Sequence, residues 1–475
     1  MTQASLFDGL CQLLGERYVQ RGAAGLSVLS DKHRQYHGQV QAIVRPGCTA
    51  EVAAVVRLCG EHDAPLVVQG GNTGLMAGAT PDASGRSVLV LLERLNQVRE
   101  VDTDNDTLTV EAGCILAHVQ QVARQAGRLF PLSLGAEGSC TIGGNLGTNA
   151  GGTAVLRYGN VRELTLGLEV VTADGEIWNG LRGLRKDNTG YDLRDLFIGS
   201  EGTLGIITAA TLKLFALPRS RCTAYVAFAS LTDAVRMLSH ARDGLGAGLT
   251  GFELLSRECL ALLKEQFADS VLPFAELHDP WYALIELSSN QAQPLAQAQF
   301  EHVLAGALET ELISDAVIAQ SLAQSEAMWQ LRENMSEAQG RAGRNMKHDI
   351  SLPVSRIAAF VDHTGALLQQ QFPGVRHFTF GHLGDGNLHY NVAHPIGQSV
   401  EAHMANYAAL SQCVHDSVQA HGGSISAEHG IGQRKRELLP RYKSAVELDL
   451  MRRIKQALDP RGLLNPGKVL PLEAP

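Results

Sequence analysis

Leu134-Gly-Ala-Glu-Gly-Ser-Cys-Thr-Ile-Gly-Gly-Asn-Leu-Gly-Thr-Asn-Ala-Gly-Gly152 is built almost wholly of small or polar residues, with Ile142 and Leu146 as its main bulk. Glycine in regular elements costs backbone entropy. The stretch therefore reads as main chain wrapped on a large flat ligand rather than as a packed helix or strand. Ser139, Thr141, Gly144, Asn145, Thr148 and Gly151 are its candidate contacts. Upstream, Pro65-Leu66-Val67-Val68 reads as a strand running into Gly70-Gly71-Asn72-Thr73-Gly74. Successive N–H groups in such a loop can form a concave anion nest, although a tight structural turn is at least as good a reading of this loop alone. Downstream, Ile198-Gly199-Ser200-Glu201-Gly202-Thr203-Leu204-Gly205, followed by Ile206, has the same character. None of the three is a G-x-G-x-x-G opening a βαβ helix, so the Rossmann reading fails.

The surrounding pattern is mixed. Residues 1–38 read as helical, through Leu6, Leu10, Leu13 and Leu14. Residues 39–218 alternate short strands and helices: a strand at Ile43-Val44, a helix capped by Thr49, hairpins across Asp104-Asn105 and Asp174-Gly175, and a last strand within 202–215. Glycine density falls near Pro218, and 219–425 reads as a separate α+β layer. A long helix is expected over 400–420 and a closing helix over 445–458, within a C-terminal segment 426–475. The expected class is α+β.

Composition narrows the function. The chain has 475 residues, 49 glycines and a net charge of −9. That charge argues against nucleic acid, which wants a basic stripe. The eight cysteines include no CxxC pair, which agrees with a reducing, cytoplasmic setting. Neither a signal peptide nor a typical transit peptide is read at the N-terminus, and no apolar run reaches the ~18 residues of a membrane span.

Phe380-Gly381-His382-Leu383-Gly384-Asp385-Gly386-Asn387-Leu388-His389 carries a hairpin signal in Asp385-Gly386. A two-residue turn there places His382 opposite His389 on one face, with Asn387 beside them at the tip. Two unrelated surface histidines are the plainer reading of this stretch alone. Glu428-His429, within Ser424–Gly432, sets a carboxylate beside an imidazole, and the two should point opposite ways in extended backbone. Glu428 with His382 and His389 would complete a His₂Glu set, which in zinc sites leaves a position open for substrate. Arg332 and Ser336 lie four apart on an expected helix and so share a face. Lys347 precedes a strand-like run.

Together the three glycine loops resemble the FAD domain of the vanillyl-alcohol oxidase-type flavoproteins. The second half, with the terminal Asn465-Pro466-Gly467-Lys468, resembles the FAD-linked D-2-hydroxyacid dehydrogenases, most closely their D-2-hydroxyglutarate branch. The resemblance implies a two-part FAD-binding domain, an α+β substrate cap and a C-terminal helical segment returning to the FAD domain. It implies FAD contacts at Gly70, Gly71, Asn72, Thr73, Gly74, Ser139, Thr141, Gly144, Asn145, Thr148, Gly151, Glu201, Gly205, Ile206 and Asn465. Covalent members often carry histidine in the first loop; Asn72 and Thr73 stand there, so noncovalent FAD is expected. It further implies zinc at His382, His389 and Glu428, substrate contacts at Arg332, Ser336, Lys347 and Asn387, and His429 as general base.

Threonine is usual where Ser336 stands, and the D-lactate branch lacks a counterpart of Lys347, which favours a second substrate carboxylate. The expected reaction is oxidation of D-2-hydroxyglutarate, or a relative such as D-malate, to the 2-oxoacid, with hydride passing to flavin N5. D-Lactate dehydrogenase and a non-redox transferase resembling alkylglycerone-phosphate synthase are the alternatives. A soluble electron acceptor such as electron-transfer flavoprotein is implied; oligomeric state stays open, a homodimer being compatible.

Overall fold

The structure is a computed structural model describing residues 5–22 and 25–471. The chain divides into two compact units. One comprises the residues up to Gly151, Asn160–Leu217 and the segment from Glu428; the other comprises Gly152–Gly159 and Pro218–Ala427.

In the first unit, Ala42–Val44 and Leu66–Gln69 both pair in parallel with Val88–Leu91, and Val19–Gln20 adds an antiparallel edge. The helix Thr49–Glu61 supplies the crossover that parallel strands require. Its Val52, Val55, Val56 and Cys59 share one core with Val44, Leu66, Val88 and Val90. The expected cap at Thr49 is corrected to Cys48, because Thr49 Oγ1 donates instead to the buried Glu169 at 2.6 Å. A second, antiparallel sheet runs in the order Val98–Asp102, Thr107–Glu111, Ile206–Lys213, Thr165–Val171, Ile177–Gly180. The helix Ala445–Leu458 opens on a capping box between Ser444 and Glu447. At its far end Lys455 donates to the Thr203 and Leu464 carbonyls, tying the third glycine loop to the chain's tail.

The second unit is built on a seven-stranded antiparallel sheet. Its order is Asp315–Ile318, Ser220–Phe228, Trp281–Ser289, Leu249–Ser256, Arg376–His382, Asn387–Ala393, Asp349–Ser351. Tyr225, Leu255, Tyr282, Leu284 and Phe380 form a core with residues of the helices Arg257–Gln266, Leu322–Glu333 and Met335–Arg341.

Four further expectations are corrected. Among the described residues of 1–38 the α-helix covers only Leu6–Leu14 and ends at Gly15, whose φ of 88° cannot continue it; residues 1–4 and 23–24 lie outside the described residues. The helix expected over 400–420 is two, Val400–Met404 and Tyr407–Ala420. The break falls at Asn406, a residue type whose side chain competes with helical bonding.

The glycine-rich stretch does contain a helix, Ile142–Thr148: Thr141 caps it, Ile142 and Leu146 are buried, and Asn149 closes it in the left-handed conformation. Gly143 serves packing there, since a Cβ would lie 2.7 Å from Ala112 Cβ. Arg332 and Ser336 stand on separate helices, Leu322–Glu333 and Met335–Arg341. Arg332 is buried and Ser336 exposed, so the spacing of four does not give them one face.

Candidate active site

Two cavities of the first unit share Gly70, Gly71, Asn72 and Thr141 on their walls. The larger measures about 740 Å³, within the range of ordinary ligand clefts, and includes Ser139. The smaller, about 150 Å³, is lined by Thr73, Gly74, Gly144, Asn145, Thr148, Glu201, Gly205, Ile206 and His429. Gly151 and Asn465 line neither. Asn465 instead donates through Nδ2 to the carbonyls of Gly78 and Glu201, at 2.9 and 2.7 Å.

The glycines divide by what they serve. A Cβ on Gly70 would lie 2.2 Å from Thr141 Oγ1, and one on Gly71 2.0 Å from Ser139 O, so both are required by the protein's own packing. At Gly74 and Gly147 a Cβ would meet nothing within 4 Å. Neither is among the positive-φ residues, yet both line the smaller cavity. A side chain at either would only fill the space a ligand needs. That open cradle suits a dinucleotide lying along the main chain.

Glu201 links this cavity to the His429 loop. Its carboxylate accepts the N–H groups of Ile431 at 2.7 Å and Gly432 at 2.8 Å. Burial pushes the carboxyl up, opposed by these two donors and by the Lys468 and Lys435 charges. Glu201 itself is left-handed, with φ 52°, the sort of constrained backbone that accumulates at functional sites. His429 Nε2 lies 3.6 Å from Glu428 Oε1, so this adjacent pair does share a side and the expected opposition does not hold. The chain is irregular there rather than extended: Gly430 and Gly432 both have positive φ.

In the second unit the histidine hairpin has a longer loop than expected. His382 faces Asn387, and Phe380 faces His389. Leu383–Asp385 form a 3-10 turn, and Gly386 is left-handed with φ 83°. The two-residue turn is displaced because the loop is held from outside. Leu352 N binds Gly386 O at 3.0 Å, and Arg242 Nη2 binds Gly384 O at 2.6 Å. A register change of two leaves each side chain on its face, and the two imidazole centroids remain 5.8 Å apart.

Sequence reasoning missed Glu253. Its strand neighbours that of His382; the carboxylate is 1% exposed and accepts His382 Nδ1 and Arg332 Nε, both at 2.7 Å. Burial alone would raise the carboxyl, but the His382 and Arg332 charges and hydrogen bonds outweigh it and hold it down to about 2. A carboxylate on one imidazole nitrogen orients the ring and sets the tautomer for ligation through the other.

Asp349 was also missed. Its Oδ1 accepts Asn387 Nδ2 at 2.9 Å and lies 3.9 Å from His389 Nδ1; its Oδ2 accepts the Ala427 N–H at 3.2 Å. Asn387 Nδ2 also reaches Ile350 O at 3.0 Å, which leaves Oδ1, an acceptor, for any ligand. Lys347 is exposed and precedes the strand Asp349–Ser351, whose Asp349 is buried. Asp349 with His389, and Glu428 with His429, are imidazole–carboxylate pairs consistent with a metal ion.

The FAD linked oxidases, C-terminal domain, match residues 217–469, and the FAD binding domain matches 40–180. The chain belongs to the FAD-linked oxidases. A D-2-hydroxyglutarate dehydrogenase of Xanthomonas citri pv. viticola is 41% identical over 441 residues, 92% of this chain and 91% of that protein. One from Stutzerimonas stutzeri is 37% identical over 99% of both chains. The mitochondrial enzyme of Bos taurus is 39% identical over 93% of this chain and 79% of its own.

Among solved structures, p-cresol methylhydroxylase with bound substrate superposes with a TM-score of 0.76 at 16% identity, covering 99% of this chain and 97% of that one. An alkyldihydroxyacetonephosphate synthase gives 0.73 at 16% identity, covering 98% and 86%. These two likenesses establish the α+β fold alone. This FAD-linked oxidase is thus an FAD-dependent oxidoreductase similar to D-2-hydroxyglutarate dehydrogenases. Among its described residues no helix is long and apolar enough to cross a membrane.

Proposed function

We propose that this FAD-linked oxidase converts D-2-hydroxyglutarate, or a related D-2-hydroxydicarboxylate such as D-malate, to the 2-oxoacid. The observation that carries the reading is the buried Arg332–Glu253–His382 line. It holds a guanidinium rigidly by Nε, which leaves its Nη groups to grip a carboxylate. It also sets an imidazole in ligating orientation.

Flavin, when bound noncovalently along the Gly70–Gly74 and Thr141–Thr148 walls, accepts a hydride. A divalent cation, zinc in this proposal, would be held by His382, His389 and Glu428 and would acidify a hydroxyl; Asp349 is a further candidate ligand. His429 takes the hydroxyl proton, a task suited to the basic nitrogen of an imidazole. Asn387 contacts the substrate beside that hydroxyl, Arg332 binds one carboxylate, and Lys347 with Ser336 binds the distal one. Electrons leave to a soluble acceptor such as electron-transfer flavoprotein. The absence of disulfides among the eight cysteines accords with a cytoplasmic setting.

Anaerobic D-2-hydroxyglutarate is expected to bleach the visible flavin band. A band that survives every D-2-hydroxyacid tried would sink the dehydrogenase reading in favour of a non-redox transferase. Lys347→Ala should lower kcat/KM on D-2-hydroxyglutarate by about 1.5–3 kcal/mol, the worth of a charged hydrogen bond, and leave D-lactate almost unchanged. Equal losses on both substrates would remove Lys347 from specificity. Chelation should stop turnover while flavin stays bound, because the proposed metal ligands and the glycine loops are different residues; full activity in protein shown to be metal-free refutes the metal site.

A further inference from the structure

The helix Met335–Arg341 sends Met335 and Ala338 into the apolar core of the second unit, and beside them it buries an amide, Gln339, 1% exposed. Its Oε1 accepts two side-chain amides, Asn391 Nδ2 at 2.7 Å and Asn345 Nδ2 at 3.0 Å. This orientation is fixed from the backbone. The His348 N–H can only donate, and it meets Asn391 Oδ1 at 3.2 Å. Asn391 therefore presents its NH₂ group to Gln339, which must answer with oxygen. Gln339 Nε2 is left buried without a hydrogen-bond partner among the described residues. An unmet donor opposes folding, so the two bonds to Oε1 are what hold the amide this way round.

Those two bonds reach the chain on either side of Lys347. Asn345 stands two residues before it, and His348, held through Asn391, comes directly after it. The same stretch is fastened to the strand Asn387–Ala393. Met346 and Val392 exchange backbone bonds of 2.9 Å, and Tyr390 N donates to His348 O at 2.8 Å. The His348 ring is bonded through both nitrogens, to Tyr390 O at 2.9 Å and Ser411 Oγ at 3.0 Å.

The sheet thus holds the backbone beneath Lys347, but it does not set the distance from there to the helix Met335–Arg341. That helix carries Ser336, about one turn before Gln339. Between the helix and Met346 runs an irregular link, residues 342–345, in which Gly343 has φ 114°. Gln339 Oε1 spans this link, from the helix to Asn345 at its end and to Asn391 on the strand beyond.

We propose that Gln339 is a positioning residue for the substrate's distal carboxylate: by bracing Asn345 and Asn391 it sets the separation between Ser336 and Lys347. The role rests on those two residues gripping that carboxylate. A lysine ammonium is a point charge on a flexible stem, so its grip depends on how firmly its backbone is placed relative to the second group.

The test is a double-mutant cycle on the flavin-loaded full-length protein, reading KM and kcat for D-2-hydroxyglutarate with a dye acceptor. Gln339→Leu should raise KM about tenfold and leave kcat within about twofold of the parent, the pattern of lost ground-state binding. Added to Lys347→Ala it should raise KM no further, because no ammonium is left to place. A residue serving packing alone would give the same loss with or without Lys347. Asn345→Ala, at a half-buried position, removes one of the two bonds and should raise KM about threefold, again only while Lys347 is present. It decides the matter should Gln339→Leu fail to fold. Parental KM in both variants, or losses that add to that of Lys347→Ala, overturn the role of Gln339 and leave the dicarboxylate reading standing. A Lys347→Ala variant with the parental KM overturns both.

Discussion

Glu253→Gln is expected to destabilise the second unit by about 3–5 kcal/mol, the cost of breaking a buried ion pair by removing one partner, and to cut turnover severely. The neutral amide can still touch one neighbour, but it leaves the Arg332 guanidinium, 8% exposed, without a counter-charge. It also releases the hold on His382 Nδ1, so the ring no longer presents one tautomer to a cation. Two measurements check the argument: the denaturant midpoint, and the metal content after dialysis. A variant with the parent's midpoint and full metal retention would show that Glu253 neither balances Arg332 nor orients His382. Since its carboxyl is held down to about 2, the contribution of Glu253 is fully present above the ordinary carboxylate range. It is lost only as pH falls from there toward 2.

His429→Gln is expected to slow anaerobic flavin reduction by D-2-hydroxyglutarate by about 10²–10⁴-fold, the usual worth of a positioned general base. Flavin content should be unaffected, because the glycine cradle at Gly74 and Gly147 is untouched. Stopped-flow reduction under single turnover isolates this step from reoxidation. A rate within tenfold of the parent would assign the proton transfer elsewhere. The Glu201 carboxylate that pins Ile431 and Gly432 should keep the loop in place in the variant, so a loss would report chemistry rather than collapse.

Much of the local structure was readable. The hairpin expected across Asp104-Asn105 appears as Val98–Asp102 with Thr107–Glu111, and the helix expected over 445–458 appears with those bounds, because alternation, turn residues and periodic leucines are local signals. The glycine loops were read as a ligand wall, and most of the candidate contacts named on them line one or other cavity. The same loops misled where glycine serves packing: Gly143 against Ala112 allowed a helix in a stretch whose composition argued against one. The hairpin register was off by two because Leu352 and Arg242, far away in sequence, hold its loop.

Residue type and spacing alone were enough to single out the imidazoles, the Glu428-His429 pair and the nucleotide cradle, since each depends on neighbours within a few positions. Tertiary structure decided which charges meet. Glu253 lies 129 residues from His382 and 79 from Arg332; Asp349 lies 78 from Ala427. No local pattern marks a strand's neighbour in a sheet, because sheet order is set by which faces can be buried together. A glutamate on a strand looks solvent-facing in sequence. It becomes the pivot of a buried charge line only when the sheet brings an imidazole and a guanidinium to either side of it.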